Sequence, residues 1–269
     1  MEFGICLQCV IPVRSEPSHR AEMVTQLLFG ELFKILIFEK EWAKIEMAYD
    51  DYHGWIPGNQ IGVLTEKEFL HLFNTENIIT SELVQLISNL TSKTIFPIVV
   101  GSSLPGYKNG EFKILGETYY FDGETSSGPS FETFKTPAEL LRAKQEIVSD
   151  AMLYLNAPYL WGGRTPFGID CSGFSQMVYK LNRIRLLRDA SQQALQGETL
   201  SFLSEAEPGD LAFFDNEQGN IIHVGIIIDP SHIIHASGKV RIDSIDHEGI
   251  YNVAESRYTH KLRVIKRIV

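Results

Sequence analysis

Apolar residues in the first part of the chain alternate with polar ones over short runs. From Cys6 to Ile61 these runs, such as Leu32–Phe38 and Trp42–Ala48, are rich in β-branched and aromatic residues and are separated by turn signals. Period-two alternation of this kind is typical of strands with one buried face. This region is predicted to be a small all-β module.

A second set of short strand-like runs follows between Ile95 and Phe134. It includes Phe96–Val100 and Glu117–Phe121, with glycine-rich turns between the runs. A short helix after the capping box at Thr65 is expected to connect the two β-rich regions. We therefore predict a helical linker and a second all-β module.

The period of the apolar residues changes to that of a helix after Thr136. Thr136-Pro137-Ala138-Glu139 has the form of a capping box with proline at the first helical position. The apolar residues beyond it recur at helical spacing as far as Asn156 and are expected to form one buried face, which includes Leu141, Ile147, Ala151 and Met152. The predicted domains are therefore residues 1–62, 63–135 and 136–269, the last of them catalytic.

A cysteine opens the next helical pattern. Residues 162–168 are rich in glycine, and Asp170-Cys171 then precede apolar residues at i, i+3, i+4 and i+7 from Phe174 onward. The start of a helix stabilises a thiolate, which is the nucleophilic form of cysteine. Cys171 is therefore the candidate nucleophile, although a lone cysteine is more often a small core residue.

Two histidines fall on successive predicted strands after this helix. His223 and His235 flank a turn at Asp229–Ser231, which places them diagonally adjacent on the same face of an antiparallel pair. One imidazole can then exchange a proton with the thiol while the second fixes its tautomer. The predicted catalytic set is Cys171, His223 and His235.

Composition narrows the classes of partner. A net charge of −10 disfavours binding to a nucleic-acid backbone. No apolar run is long enough to span a membrane, and Met1 to Arg14 does not resemble a secretory signal. We expect a cytoplasmic location, or a periplasmic one if a leader precedes this sequence.

Metal and other cofactors are not expected. The remaining histidines are scattered and form no His-Glu-x-x-His motif. Cys6 and Cys9 have the spacing of half a zinc site, but no second pair accompanies them, and they are interpreted as packing residues. The predicted chemistry therefore depends on amino-acid side chains alone.

Several short motifs in the third region occur together and in order. They are Trp161-Gly-Gly, Asp170-Cys-Ser-Gly-Phe, Pro208-Gly-Asp-Leu, Phe213-Phe, His223-Val-Gly and His235-Ala-Ser. In this combination they resemble the NlpC/P60 family of cysteine peptidases, and Tyr52-His-Gly-Trp-Ile-Pro resembles the end of a bacterial SH3-like domain. The resemblance implies an α+β fold, with a papain-like NlpC/P60 catalytic domain preceded by small all-β SH3-like barrels.

By that resemblance the chain is similar to enzymes that cleave the γ-D-glutamyl–L-diamino acid bond of murein peptides with a free N-terminal L-Ala. The expected substrate is a murein tripeptide or tetrapeptide. The resemblance also implies substrate-binding residues, and Trp161 joins them because it lies in the approach to the nucleophile. The candidates are Glu22, Tyr52, Tyr159, Trp161, Asp170, Ser172 and Ser191. Leu186–Gln193 departs from the family's Leu-Pro-Arg-x-Ser-x-Gln stretch, because Leu187 replaces proline and an extra residue precedes Ser191.

Two other functions stay open at this point. A secreted hydrolase of intact peptidoglycan would use the SH3-like modules as wall anchors. An inactive muropeptide-binding protein would use only the groove, and the complete set of cysteine and two histidines argues against it. The sequence does not distinguish diaminopimelate from lysine as the diamino acid, and it leaves the oligomeric state and the placement of the SH3-like domains open.

Overall fold

A computed structural model of the chain describes residues 2–126 and 136–269. It divides into two compact units, Met1–Ser127 and Gly128–Val269. The first unit is β-rich and the second mixes helices with a sheet, which confirms the predicted α+β class. The division into three domains stays a prediction, and the end of its second domain, residues 127–135, lies outside the described residues.

The first unit consists of strands and one helix. These are β1 (Glu2–Cys6), β2 (Val10–Arg14), β3 (Met23–Leu28), β4 (Leu32–Glu39), β5 (Trp42–Met47), β6 (His53–Pro57), β7 (Ile61–Leu64), α1 (Glu66–Asn74), β8 (Asn77–Thr80), β9 (Val84–Asn89), β10 (Thr94–Val99), β11 (Ser103–Pro105), β12 (Glu111–Ile114), β13 (Glu117–Tyr120) and β14 (Thr125–Ser126). They form sheets of seven strands (β3-β2-β6-β5-β4-β1-β7), four strands (β10-β9-β13-β12) and three strands (β11-β8-β14).

The elements of the first unit follow the sequence pattern closely. In β5, buried and half-buried residues alternate along all six positions, as expected for a strand with one face on the core. Helix α1 begins after Thr65, whose side chain accepts the N–H of Glu68 while the Glu68 carboxylate accepts the N–H of Thr65. This reciprocal pair confirms the predicted capping box.

The second unit contains α2 (Pro137–Leu153), β15 (Arg164–Thr165), β16 (Gly168–Ile169), α3 (Cys171–Leu181), α4 (Ala190–Gln193), β17 (Glu198–Leu200), β18 (Leu211–Asp215), β19 (Ile221–Asp229), β20 (His232–Ser237), β21 (Lys239–Ile245), β22 (Gly249–Asn252) and β23 (Arg257–Arg267). Its main sheet has the order β17-β23-β18-β19-β20-β21-β22, and β22 also pairs with β23. Strands β18 to β23 therefore close into a barrel.

A buried helix lies against this barrel. Every residue of α3 from Cys171 to Leu181 is buried, and the helix packs against β19, β20 and α2. Aliphatic and aromatic residues of the barrel strands, including Phe214, Ile227 and Ile250, form their own core cluster. Of the helices that the structure describes, none has the length and apolar character needed to cross a membrane. The helix and the barrel together position the candidate catalytic residues.

Candidate active site

Cys171 lies at the first turn of α3. Asp170 is the N-cap of this helix, and its Oδ1 accepts the backbone N–H of Gly173 at 2.6 Å. Its Oδ2 accepts the N–H of Gly162 at 2.8 Å. Gly162 has a φ of 74°, a left-handed conformation that favours glycine. The predicted position of Cys171 at a helix start is confirmed.

Arg188 holds the same carboxylate in a buried ion pair. Its Nη2 donates to Asp170 Oδ2 at 2.6 Å, and its Nη1 donates to Asp170 Oδ1 at 3.1 Å and to Ser172 Oγ at 2.9 Å. The two charged side chains are 1% and 8% exposed. A buried pair of charges is tolerated only when its geometry and remaining hydrogen bonds are good, as they are here. This pair fixes the loop before Cys171 to the start of α3.

The Cys171 thiol is buried, and its protonated form is favoured at rest. Burial raises the pKa of Cys171 to about 12, and the Asp170 carboxylate acts in the same direction. The backbone N–H groups of Val224 and Ser172 and the charge of Arg188 lower that pKa, but they do not outweigh burial. The helix start therefore does not yield a resting thiolate, contrary to the expectation from sequence. A base must take the thiol proton during attack.

His223 and His235 begin a hydrogen-bonded chain on neighbouring strands. Gly225 of β19 is opposite His235 of β20, so His223 lies diagonally from His235 on the same face, as predicted. His223 Nε2 lies 2.8 Å from His235 Nδ1, and His235 Nε2 lies 3.0 Å from Asp243 Oδ2. A Cβ at Gly225 would come within 2.9 Å of the His235 Cβ. Glycine at this position leaves room for the second imidazole.

The last member of this hydrogen-bonded series, Asp243, determines which nitrogen of His223 is unprotonated. Arg241 Nη2 donates to Asp243 Oδ1 at 2.7 Å. Burial raises the pKa of Asp243, but hydrogen bonds from His235 and Arg241 hold that pKa below its ordinary value. An ionised carboxylate only accepts, so His235 carries its proton on Nε2 and accepts at Nδ1 from His223 Nε2–H. The unprotonated nitrogen of His223 is therefore Nδ1.

Both imidazoles are held in the neutral form. Burial lowers the pKa of His223 well below its ordinary value, and the charges of His235 and His260 lower it further. Burial also lowers the pKa of His235, although the Asp243 carboxylate acts in the opposite direction. A neutral His223 with a free Nδ1 can act as a general base at neutral pH. His223 is therefore the candidate base for the buried thiol.

A third histidine, His260 on β23, completes an aromatic cluster around His223. The rings of His223 and His260 stack with centroids 4.1 Å apart and planes 25° from parallel, and Phe214 meets His260 edge-on at 5.9 Å. Burial lowers the pKa of His260 to about 4. This neutral ring packs directly against the candidate base.

The same three imidazoles have the composition of a metal site. Ring nitrogens of His223, His235 and His260 lie within 4.8 Å of one another. However, the nearly parallel stack of His223 and His260 directs their in-plane lone pairs side by side rather than toward one point. The hydrogen bond between His223 and His235 also occupies two of the nitrogens. The observed geometry fits proton transfer better than metal coordination.

The structure places three of the predicted substrate-binding residues of this unit beside Cys171. Asp170 and Ser172 flank it and are both engaged by Arg188. Burial raises the pKa of Tyr159 to about 12, and the charges of Cys171 and Asp170 contribute to this increase. Tyr159 is therefore an electrostatic neighbour of the thiol. Its role as a substrate contact stays a prediction.

The other two predicted residues of this unit are at the surface. Trp161 follows shortly after Tyr159 and is 60% exposed. Ser191 is exposed on α4, next to Gln192. Both are accessible, as a contact with substrate requires, and their roles stay predictions.

Glu22 and Tyr52 belong to the first unit. Glu22 is exposed immediately before β3, and its carbonyl accepts the N–H of Ser15 at 2.9 Å. Tyr52 is half-buried against the core of the seven-stranded sheet, and its N–H donates to Asp50 Oδ1 at 3.2 Å. Their predicted roles in binding the substrate stay predictions.

Three residues of the site were not identified from the sequence. Arg188 lies in the stretch that resembles the family's Leu-Pro-Arg-x-Ser-x-Gln motif, and the arginine of that motif could have identified it. Asp243 ends the region that carries the resemblance, eight residues beyond His235. His260 had no motif around it. It reaches His223 because β23 closes the barrel.

Two family models each match a segment of the chain. Residues 156–260 match the NlpC/P60 family, and residues 13–61 match the bacterial dipeptidyl-peptidase SH3 domain. The first match contains Cys171, His223, His235, Asp243 and His260. It therefore coincides with the site described above.

Individual relatives agree with these matches. The γ-D-glutamyl-L-lysine dipeptidyl-peptidase of Bacillus subtilis (strain 168) is 29% identical over 269 residues, covering 90% of this chain and 80% of that protein. Dipeptidyl-peptidase 6 of Lysinibacillus sphaericus is 26% identical over 263 residues, covering 91% and 92%. A crystal structure of an NlpC/P60 family protein from Bacillus cereus ATCC 10987 has a TM-score of 0.80, with 18% identity and 99% coverage of both chains. At that identity the structural likeness supports the fold alone.

Proposed function

The chain is a cysteine peptidase with an NlpC/P60 domain and a bacterial dipeptidyl-peptidase SH3 domain, and on that premise we propose that it hydrolyses peptides derived from peptidoglycan. The bond we assign is the one between γ-D-glutamate and the L-diamino acid that follows it. The names of two relatives, each a γ-D-glutamyl-L-lysine dipeptidyl-peptidase, support this choice of bond. The product would be the dipeptide L-Ala-γ-D-Glu.

The observation that carries the proposal is a buried thiol that is hydrogen-bonded to the backbone N–H of Val224, the residue after His223, together with the neutral, hydrogen-bonded imidazoles. As Cys171 Sγ attacks the γ-carbonyl carbon, its proton passes to His223 Nδ1, and His235 and Asp243 stabilise the resulting imidazolium. Backbone N–H groups at the start of α3 stabilise the oxyanion. The C–N bond then breaks, and the imidazolium protonates the leaving amine. His223 next deprotonates a water molecule that hydrolyses the thioester and frees Cys171.

The test follows three substrates by liquid chromatography and mass spectrometry. These are L-Ala-γ-D-Glu-L-Lys, the same peptide with meso-diaminopimelate, and intact sacculi. We expect release of L-Ala-γ-D-Glu from at least one tripeptide, and complete loss of release in Cys171→Ala. Cys9→Ala is the matched control, since Cys9 is a free, half-buried cysteine of the first unit. Release of product only from sacculi would instead favour the wall-degrading hydrolase, and binding without cleavage would favour the inactive muropeptide-binding protein.

The finer specificity is part of the same proposal. We propose that the substrate needs a free N-terminal L-Ala, and that Glu22 and Tyr52 recognise its ammonium group. Acetylation removes the ammonium charge that would pair with the Glu22 carboxylate, so an N-acetylated peptide should be a poor substrate. Comparing the free and the N-acetylated peptide on the native protein tests whether a free N-terminus is needed. The same comparison on Glu22→Ala tests whether Glu22 recognises it. We propose a cytoplasmic setting for this recycling activity, with cell fractionation as its test.

A further inference from the structure

A cavity of about 680 Å³ in the second unit is lined in part by His260, the ring that stacks on His223. It lies among the turn between β18 and β19, the turn between β21 and β22, and the first half of β23. Its lining includes Ile222, His260, Asp215, Glu217, Glu248 and Lys261. The reaction steps assigned above do not use this cavity.

The position of the cavity relative to the reacting atoms follows from strand β19. The backbone N–H of Val224 is bonded to the Cys171 sulfur, His223 carries the base, and Ile222 lines the cavity. His260 lines the same cavity and stacks on His223 at 4.1 Å. His260 therefore stands between the cavity and the face of the His223 ring. The cavity is on the imidazole side of the catalytic pair.

The proposed reaction determines which part of the substrate reaches this side. When the thioester forms, the C–N bond breaks and the departing nitrogen takes its proton from His223 Nδ1. That nitrogen must therefore lie within hydrogen-bonding distance of the imidazole. It belongs to the diamino acid, so the diamino acid lies on the imidazole side while the γ-glutamyl carbon lies at Cys171.

The charges around the cavity favour a cation. Asp215, Glu217 and Glu248 provide three carboxylates, against one ammonium from Lys261. The Asp215 side chain is 6% exposed, its Oδ2 lies 3.6 Å from Arg263 Nε, and its buried Oδ1 has no hydrogen-bond partner among residues 2–126 and 136–269. Over the same residues, the exposed carboxylates of Glu217 and Glu248 form no ion pair. The lining therefore has acceptor capacity that the protein itself does not use.

From these observations we propose that the cavity is the subsite for the residue released by cleavage, and that its carboxylates bind the side-chain ammonium of a diamino acid. The inference rests on the proposed function, since it takes the γ-D-glutamyl–diamino acid bond as the one that breaks. It adds the part of the protein that selects a diamino acid over a neutral residue of the same length.

The experiment compares two tripeptides that differ only in that ammonium group, L-Ala-γ-D-Glu-L-Lys and L-Ala-γ-D-Glu-L-norleucine. We expect the native protein to prefer the lysine peptide by about tenfold in kcat/KM, as one partly exposed charge interaction allows. Glu217→Gln combined with Glu248→Gln should bring the ratio close to one by lowering kcat/KM for the lysine peptide. Glu198→Gln, at an exposed carboxylate on β17 away from the cavity, should leave the ratio unchanged.

The outcomes separate this inference from the proposed function. Equal kcat/KM for both peptides in the native protein, with cleavage after γ-D-Glu, would overturn the subsite and leave the proposed function intact. A lysine preference that persists when Asp215→Asn is added to the double variant would also overturn it, because the ammonium would then bind elsewhere. Failure to cleave either peptide would refute the proposed function, and the subsite with it.

Discussion

The buried ion pair between Arg188 and Asp170 gives a demanding test of how the nucleophile is positioned. We consider Arg188→Met, which keeps a long unbranched side chain and removes the charge. The variant loses the two hydrogen bonds from Arg188 to Asp170 and the one to Ser172. It leaves the Asp170 carboxylate buried against the start of α3.

The size of the expected stability loss follows from the hydrogen bonds that Asp170 retains. Removing one partner of a buried ion pair costs about 3–5 kcal/mol, because the other charge is left without compensation. Asp170 still accepts two backbone N–H groups, from Gly162 and Gly173, so we expect a loss near 3 kcal/mol. Native domains are stable by only about 5–15 kcal/mol. The loss of Arg188 also removes a charge that lowers the pKa of Cys171, so kcat/KM should fall as well.

Peptide-resolved hydrogen exchange as a function of urea measures the free energy of opening for α3 without requiring the two units to unfold together. Asp170→Asn and the double variant complete a cycle, in which the double variant should be more stable than the sum of the single losses predicts. Arg142→Met is the matched control, because its pair with Glu146 is solvent-exposed and should contribute about 0.5 kcal/mol or less. If Arg188→Met costs no more than Arg142→Met, the ion pair does not hold the helix start.

Four further expectations concern the imidazoles. His223→Ala should reduce kcat/KM by about a hundredfold or more and His235→Ala by less, so equal activity in both variants would overturn the assigned roles. His260→Ala should lose about two- to tenfold through the lost stack on His223, while His260→Phe keeps a ring there and should retain activity; equal losses in the two variants would exclude stacking as the cause. A chelator should not change kcat/KM, and inactivation that zinc reverses would mean that the histidine cluster works as a metal site. Because burial lowers the pKa of His223 and the neutral form is the base, activity should be lost only as pH falls below about 6.5, and an acid limb above pH 7 would contradict this.

Features that depend on neighbours in sequence could be predicted well. The capping boxes at Thr65 and Thr136 and the helix start at Cys171 follow from residues within one turn of each other. The diagonal placement of His223 and His235 follows from a short turn and the two-residue period of a strand. In each case, local geometry leaves few alternatives.

Features that depend on the fold as a whole could not be predicted in the same way. The apolar residues expected on the buried face of α2 include Leu141 and Met152, yet these are 57% and 37% exposed. Ile147 and Ala151, which were also expected on that face, are buried, and Ala143 one turn earlier is buried with them. The i, i+4 spacing of these three was present in the sequence, but hydrophobicity alone did not separate them from the larger side chains beside them. Which stripe faces the core depends on the surface that packs against the helix.

The state of the thiol shows how tertiary structure can reverse a local rule. A helix start favours a thiolate, and the sequence places Cys171 there. Burial acts in the opposite direction, and so does the Asp170 carboxylate that caps the same helix. The cap that positions the nucleophile therefore also keeps it protonated, and Arg188 only partly offsets that charge. In the mechanism that we propose, attack consequently depends on proton transfer to His223, whose free Nδ1 is determined by a carboxylate two hydrogen bonds away, at Asp243. The chemistry of Cys171 thus depends on closure of the barrel that carries His223, His235 and Asp243 as much as on its own helix.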